Sequence, residues 1–224
     1  MEKYICGDIH EIIKDISDNS IDFIYTDPPF GITKAEWDKP LRWKELFPEM
    51  WRVLKPKGVI VLYASMPFTY ELLKYEKPKY HYCWWKNKIT NFLHAKRQPL
   101  RDIEEIFVYY KKAGGTYNPQ MVGTEFRKKT NKHGTKSNYY SHRKTPKLVD
   151  EEKGHYGKYP RTLKKWNTKT RDGISRCDDQ IDFFIKTYSN KGDTILNMTC
   201  NNKVVGDRVK KLERSYIGVD LIKI

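Results

Sequence analysis

The 224-residue sequence predicts a doubly wound α/β fold with a mostly parallel central sheet. Three observations predict it. Short apolar strands alternate with segments of helical periodicity through both ends of the chain. Residues 59–63, VIVLY, form a continuous apolar run of strand length, as a strand covered on both faces requires. Residues 21–30, IDFIYTDPPF, lead from an apolar strand directly into an acid, two prolines and an aromatic ring. Pro28 and Pro29 cannot continue a sheet ladder, so Asp27 and Phe30 are left at the strand's carboxyl end, the edge where open α/β sheets bind ligands.

The elements follow in order. Ile9, Ile12, Ile13 and Ile16 repeat at helical spacing after Asp8, which suits a helix N-cap. Residues 31–40 read as a loop and 41–54 as a helix, stopped by Lys55-Pro56-Lys57-Gly58. The 59–63 strand, a helix over 67–75 and strands over 80–85 and 105–110 come next. The intervening KNKITNFLHAKRQPLR, rich in Asn, Lys and Arg, suits a loop near phosphates. Order returns with a helix at 179–188, a strand at 194–198, a helix at 203–212 and a strand at 216–221. The domain reading is a catalytic domain of residues 1–111 and 172–224 interrupted by a basic, irregular insert at 112–171.

Composition narrows the function. Six Trp, sixteen Tyr and nine Phe exclude a disordered chain. Cys6, Cys83, Cys177 and Cys200 show no CxxC pair or metal-ligand spacing, which fits reduced thiols in a cytoplasmic compartment and implies no metal. No long apolar run indicates a membrane span or a secretion signal. The net charge of +15 points to a polyanionic partner, and residues 111–171 carry most of it, with 17 Lys and Arg against four acids. Tyr117, Phe126, Tyr139, Tyr140, Tyr156, Tyr159 and Trp166 are interleaved with those cations, a mixture that cradles phosphates and stacks on bases.

Beyond the DPPF tetrapeptide, CGDIHEIIKDISDNSIDFIYTDPPFGITKAEWDK, WRVLKPKGVIVLYAS, NFLHAKRQPLRDIEEIFVYYKK, KTYSNKGDTIL and RSYIGVD recur in order. With these blocks the chain resembles the amino-group DNA methyltransferases, N6-adenine or N4-cytosine, of the permuted type with an amino-terminal catalytic motif. The resemblance implies a Rossmann-like S-adenosylmethionine-dependent methyltransferase fold and double-stranded DNA as partner. It also implies a prokaryotic or viral setting, and it places the basic insert where the family carries its target-recognition region. It makes Asp27, Pro28, Pro29 and Phe30 the catalytic set. The Asp27 carboxylate and the Pro28 carbonyl would accept hydrogen bonds from an exocyclic amine, localise its lone pair and aim it at the sulfonium methyl. Phe30 would stack on a base flipped from the duplex. An acid in the first position favours adenine over cytosine.

The same resemblance gives the cofactor set Asp8, Asn197, Thr199, Cys200, Asn201 and Asp220, with Asp8 at the cofactor adenine and Asp220 at the ribose. Lys96, Arg97, Arg101, Arg127, Lys128, Lys129, Arg143 and Lys144 are the expected DNA contacts. Two departures stand out. The family's D-P-F-x-G-S-G-T-T loop reads Asn197-Met198-Thr199-Cys200-Asn201-Asn202-Lys203-Val204-Val205, with left-handed Asn201 and Asn202 expected to replace its glycines. The family's H-P-T-Q-K-P reads Asp172-Gly173-Ile174-Ser175-Arg176-Cys177. They leave three readings open: an active methyltransferase, which leads; an inactive DNA-binding relative or partner subunit; and an enzyme of RNA. Assembly as a homodimer or with a partner subunit is equally open.

Overall fold

The computed structural model describes residues 1–128, 154–169 and 176–222. They form two compact units, residues 1–118 with 161–224 and residues 119–160.

In the larger unit β1 (Glu2–Cys6), β2 (Ile21–Thr26), β3 (Leu54–Ala64), β4 (Tyr80–Thr90) and β5 (Arg101–Tyr110) come from the first half of the chain. The smaller unit supplies β6 (Val122–Lys128) and β7 (Gly154–Lys158). The larger unit resumes with β8 (Leu163–Trp166), β9 (Thr194–Asn197) and β10 (Ser215–Asp220). Its eight strands are ordered β1-β10-β9-β2-β3-β5-β4-β8. Neighbours are parallel from β1 through β3, β5 is antiparallel to both β3 and β4, and β8 runs parallel to β4.

Among the described residues five α-helices cover the sheet: α1 (Ile9–Ile12), α2 (Trp43–Val53), α3 (Phe68–Tyr75), α4 (Asp178–Tyr188) and α5 (Val204–Lys211). On one face α2 inserts Trp43, Leu46, Phe47, Met50 and Val53, one stripe of a 3.6-residue period, against Ile24, Ile60 and Leu62. On the other face α4 inserts Ile181, Phe184, Ile185 and Tyr188 against Phe23, Tyr25, Val61 and Tyr63. Residues of β2 and β3 therefore alternate between two cores, which is why 23–25 and 59–64 read as unbroken apolar runs.

Several boundaries differ from the sequence expectation. The 8–16 helix is a single α turn continued by a 3-10 turn over Ile13–Asp15. The strand expected over 59–63 begins at Leu54, because Leu54 pairs with Ile21 directly out of α2, and Lys55-Pro56-Lys57-Gly58 lies inside it. Strand β4 runs on to Thr90 and β5 starts at Arg101. The segment expected to be irregular contains β6 and β7, an antiparallel pair with Phe126 and Tyr156 edge to face at 5.2 Å. It also contains β8, whose pairing with β4 adds residues 161–169 to the larger unit.

Candidate active site

Between β9 and β2 the chain order of the sheet reverses, a switch point of the kind at which open α/β sheets bind ligands outside the strands' carboxyl ends. Asp27 follows β2 at that point. Thr199 follows β9 across from it, and its hydroxyl donates to the Asp27 carbonyl oxygen at 3.1 Å. The Thr199 hydroxyl also lies 3.0 Å from that of Thr26. Pro28 and Pro29 then carry the chain out of the sheet.

The Asp27 side chain is 34% exposed, and its Oδ1 accepts from Arg176 Nη2 at 2.8 Å. Burial pushes the carboxyl above the ordinary range, the Arg176 charge pulls it back, and Glu104 adds to the upward push. Arg176 is also paired with Glu104 at 2.8 Å. Phe30 stacks on Phe68 of α3, centroids 5.2 Å apart and planes 20° from parallel. The loop that follows is held by Asp38, which is buried and accepts from the backbone N–H of Gly31, Ile32 and Thr33 at 2.7, 2.9 and 2.7 Å. Burial works to raise the Asp38 carboxyl, but the Thr33 side chain and these N–H groups together keep it below its ordinary value.

Asp8 and Asp220 lie at the ends of the paired strands β1 and β10, where the Gly7 N–H donates to the Asp220 carbonyl at 2.8 Å. Asp8 caps α1: its Oδ1 accepts from the His10 backbone N–H at 2.9 Å and lies 2.7 Å from His10 Nδ1. His10 Nε2 accepts from the Arg42 N–H at 3.0 Å, so the imidazole proton sits on Nδ1 and points at Asp8. Asp220 Oδ1 accepts from the Ile222 N–H at 3.0 Å. Both carboxylates reach the surface.

The β9–α5 loop departs from expectation. Asn197 and Cys200 are buried, whereas Thr199, Asn201 and Asn202 reach the surface. Asn197 Nδ2 donates to the Tyr216 hydroxyl at 3.2 Å, and its Oδ1 accepts from the Thr199 N–H at 3.3 Å. Cys200 lies over β10, where a Cβ on Gly218 would come within 2.7 Å of its Sγ, so the close approach needs glycine at 218. Burial pushes the Cys200 thiol up to about 11. Neither Asn201 nor Asn202 takes the left-handed backbone expected of them; among the described residues the non-glycine left-handed positions are Asn19, Asn91 and Glu213. Asn202 Oδ1 instead accepts from the Val204 N–H at 3.0 Å, satisfying a first-turn donor of α5.

Of the expected DNA contacts, Lys96 and Arg97 are exposed on the β4–β5 connection, and Arg101, the first residue of β5, is partly so. Thr90 pairs with Arg101 and Ala64 with Glu105, so this connection leaves the sheet at the same edge as Asp27. Phe92 and Leu93 protrude from it, 68% and 84% exposed. Arg127 and Lys128 lie on β6, while Lys129, Arg143 and Lys144 fall outside the described residues. Among the described residues no cluster of three metal-ligating side chains occurs, and no helix is long and apolar enough to cross a membrane. Arg176 and Asp38 were not among the sequence candidates. An acid eight residues after Pro29-Phe30 has no period to mark it, and Arg176 meets Asp27 only through the sheet.

The family model of the DNA methylases matches residues 21–223. The chain belongs to the DNA methylase family. By that membership it is an S-adenosylmethionine-dependent DNA methyltransferase of the amino-group class. The methylase is 25% identical to the Type II methyltransferase M.HpaI of Haemophilus parainfluenzae, a match covering 99% of this chain and 71% of that one. It is 24% identical to M.BamHI of Bacillus amyloliquefaciens over 96% of this chain, and spans about half of that relative, 53%. Its fold matches the crystal structure of the M1.HpyAVI–SAM complex with a TM-score of 0.62 at 21% identity, covering 100% of this chain and 94% of that one. The cytosine-N4-specific PvuII DNA methyltransferase matches with a TM-score of 0.66 at 12% identity, covering 99% and 82%.

Proposed function

We propose that the methylase modifies adenine N6 in double-stranded DNA, with the Asp27-Pro28-Pro29-Phe30 turn receiving a base flipped from the helix. The observation that carries this reading is the Asp27 carboxylate at the switch point, anchored from within by Arg176 and one-third exposed outward. The chemistry of the donors at the adjacent strand ends fits S-adenosylmethionine. Asp8 and Asp220 are acceptors for the exocyclic amine and ribose hydroxyls of an adenosine, and Thr199 adds a small polar side chain between them and Asp27. Bound there, the cofactor supplies an electrophilic methyl group.

The chain's own residues then do three things. The Asp27 carboxylate and the Pro28 carbonyl accept the amine's two N–H groups, which draws its lone pair out of conjugation with the ring. The Thr199 bond to the Asp27 carbonyl fixes the turn against β9, so the acceptors are in place before the base arrives. The amine sheds one proton on methylation, and the exposed side of Asp27 can take it and pass it to water. Phe30, backed by Phe68, presents its remaining ring face as the stacking platform. Lys96, Arg97 and Arg101, at the same edge, hold the phosphates on either side of the target.

Digestion of DNA methylated by the enzyme to nucleosides tests the base assignment: N6-methyl-2′-deoxyadenosine is expected, and N4-methyl-2′-deoxycytidine alone would reverse it. An assay with single-stranded RNA beside duplex DNA of equal length tests the polymer, and stronger transfer to RNA would move the function there.

A further inference from the structure

Arg176 is an enclosed charge at the site, its side chain 9% exposed. Its Nη2 donates to Asp27 Oδ1 at 2.8 Å and its Nη1 lies 2.8 Å from Glu104 Oε2. Lys86 Nζ donates to the other Glu104 oxygen at 2.9 Å. The guanidinium carbon is 4.4 Å from the Tyr63 ring centre and 4.7 Å from that of Trp84, so Asp27 just after β2 and residues of β3, β4 and β5 all grip it. Only a planar fork with aromatic-binding faces can make those contacts together; a lysine has one nitrogen and no flat face. Arg176 is 9% exposed and Asp27 34%, so the cation stands behind the carboxylate on the protein side.

From this geometry we infer that Arg176 is the positioning residue for Asp27, fixing Oδ1 from inside the fold so that Oδ2 is aimed outward to accept the target amine. The inference rests on the reading of Asp27 as the amine acceptor. A carboxylate half-withdrawn from water protonates readily, and a protonated Asp27 would have one acceptor fewer for the amine. The charged groups around it are Arg176 and, through it, Glu104 on β5 and Lys86 on β4; the ionisable Tyr25, Tyr63 and Cys177 complete the surroundings. Without Arg176 two acids would face one lysine. Serving as the link between Asp27 and Glu104, Arg176 also sets where the acid sits relative to β5.

The test compares wild type with Arg176→Lys and Arg176→Met, following kcat against pH with saturating S-adenosylmethionine and duplex DNA. In parallel, carbon-13 NMR titrates the Asp27 carboxyl, a readout that needs no turnover. In Arg176→Met the Asp27 titration is expected to move up by about 1–3 pH units, and the acid limb of kcat with it. Its kcat near neutral pH falls about 100-fold while KM for the cofactor stays within about threefold. Arg176→Lys keeps the charge and recovers at least about a tenth of the wild-type rate. Should Arg176→Met not fold, Arg176→Met with Glu104→Gln, which removes the buried acid left without its partner, is read the same way. An unmoved Asp27 titration in a folded variant overturns the inference, as does a variant faster than wild type, which would make Arg176 a blocker. If wild type itself transfers no methyl while the titration still shifts, the functional reading fails and the positioning contact stands.

Discussion

The Thr199 hydroxyl donates to the carbonyl oxygen of Asp27 at 3.1 Å, joining the loop after β9 to the turn after β2. With Thr26 3.0 Å from the same hydroxyl, this is the lateral tie across the switch point. Thr199→Val keeps the shape and removes both bonds. It is expected to cost about 1–2 kcal/mol in urea unfolding and to lower kcat, with Thr199→Ser restoring most of each.

Asp38 orders the loop after the Asp27–Phe30 turn by accepting three backbone N–H bonds from a buried position. Asp38→Asn places an amide against those donors and is expected to destabilise by about 2–4 kcal/mol, measured by denaturant unfolding. Because the Asp38 carboxyl is held below its ordinary value, its contribution is fully present above that value and is lost as pH falls through the folded one. Glu104 has the same sign: burial opposes its charge, but Arg176 and Lys86 outweigh it. Asp38→Asn therefore flattens the acid side of the stability profile.

Strand alternation, the sheet edge and the turn after β2 were legible from the sequence because each rests on local pattern: apolar runs for β2 and β3, and prolines where the ladder must end. The grip on Arg176 was not, since 149 positions separate it from Asp27 and nothing in Ser175-Arg176-Cys177 announces a partner. Strand β8 was missed because a four-residue edge strand rich in lysine carries no apolar alternation, and its pairing with β4 defines it. The β9–α5 loop misled for a different reason. Asn201 and Asn202 were read for backbone freedom, whereas the chain uses Asn202 as a hydrogen-bond acceptor and places its close approach at Gly218.

Asp220 stands at the end of β10 beside Asp8, with one carboxylate oxygen engaged by the Ile222 N–H. Asp220→Ala is expected to weaken S-adenosylmethionine binding about 10–100-fold by calorimetry, the loss of a hydroxyl pair accepted by a charged group. DNA affinity without cofactor stays unchanged.

Lys96 and Arg97 are exposed on the connection that leaves the sheet at the same edge as Asp27. Lys96→Ala with Arg97→Ala is expected to weaken duplex binding similarly for all sequences and to reduce the salt slope of log K by about 2. Fluorescence anisotropy across a salt series measures both.

The most direct measurement is transfer of labelled methyl from S-adenosylmethionine to duplex DNA by the wild type and by Asp27→Ala at matched fold and DNA affinity. Label entering DNA with the wild type and falling to background with Asp27→Ala is the predicted result. Equal incorporation by both proteins would contradict the account.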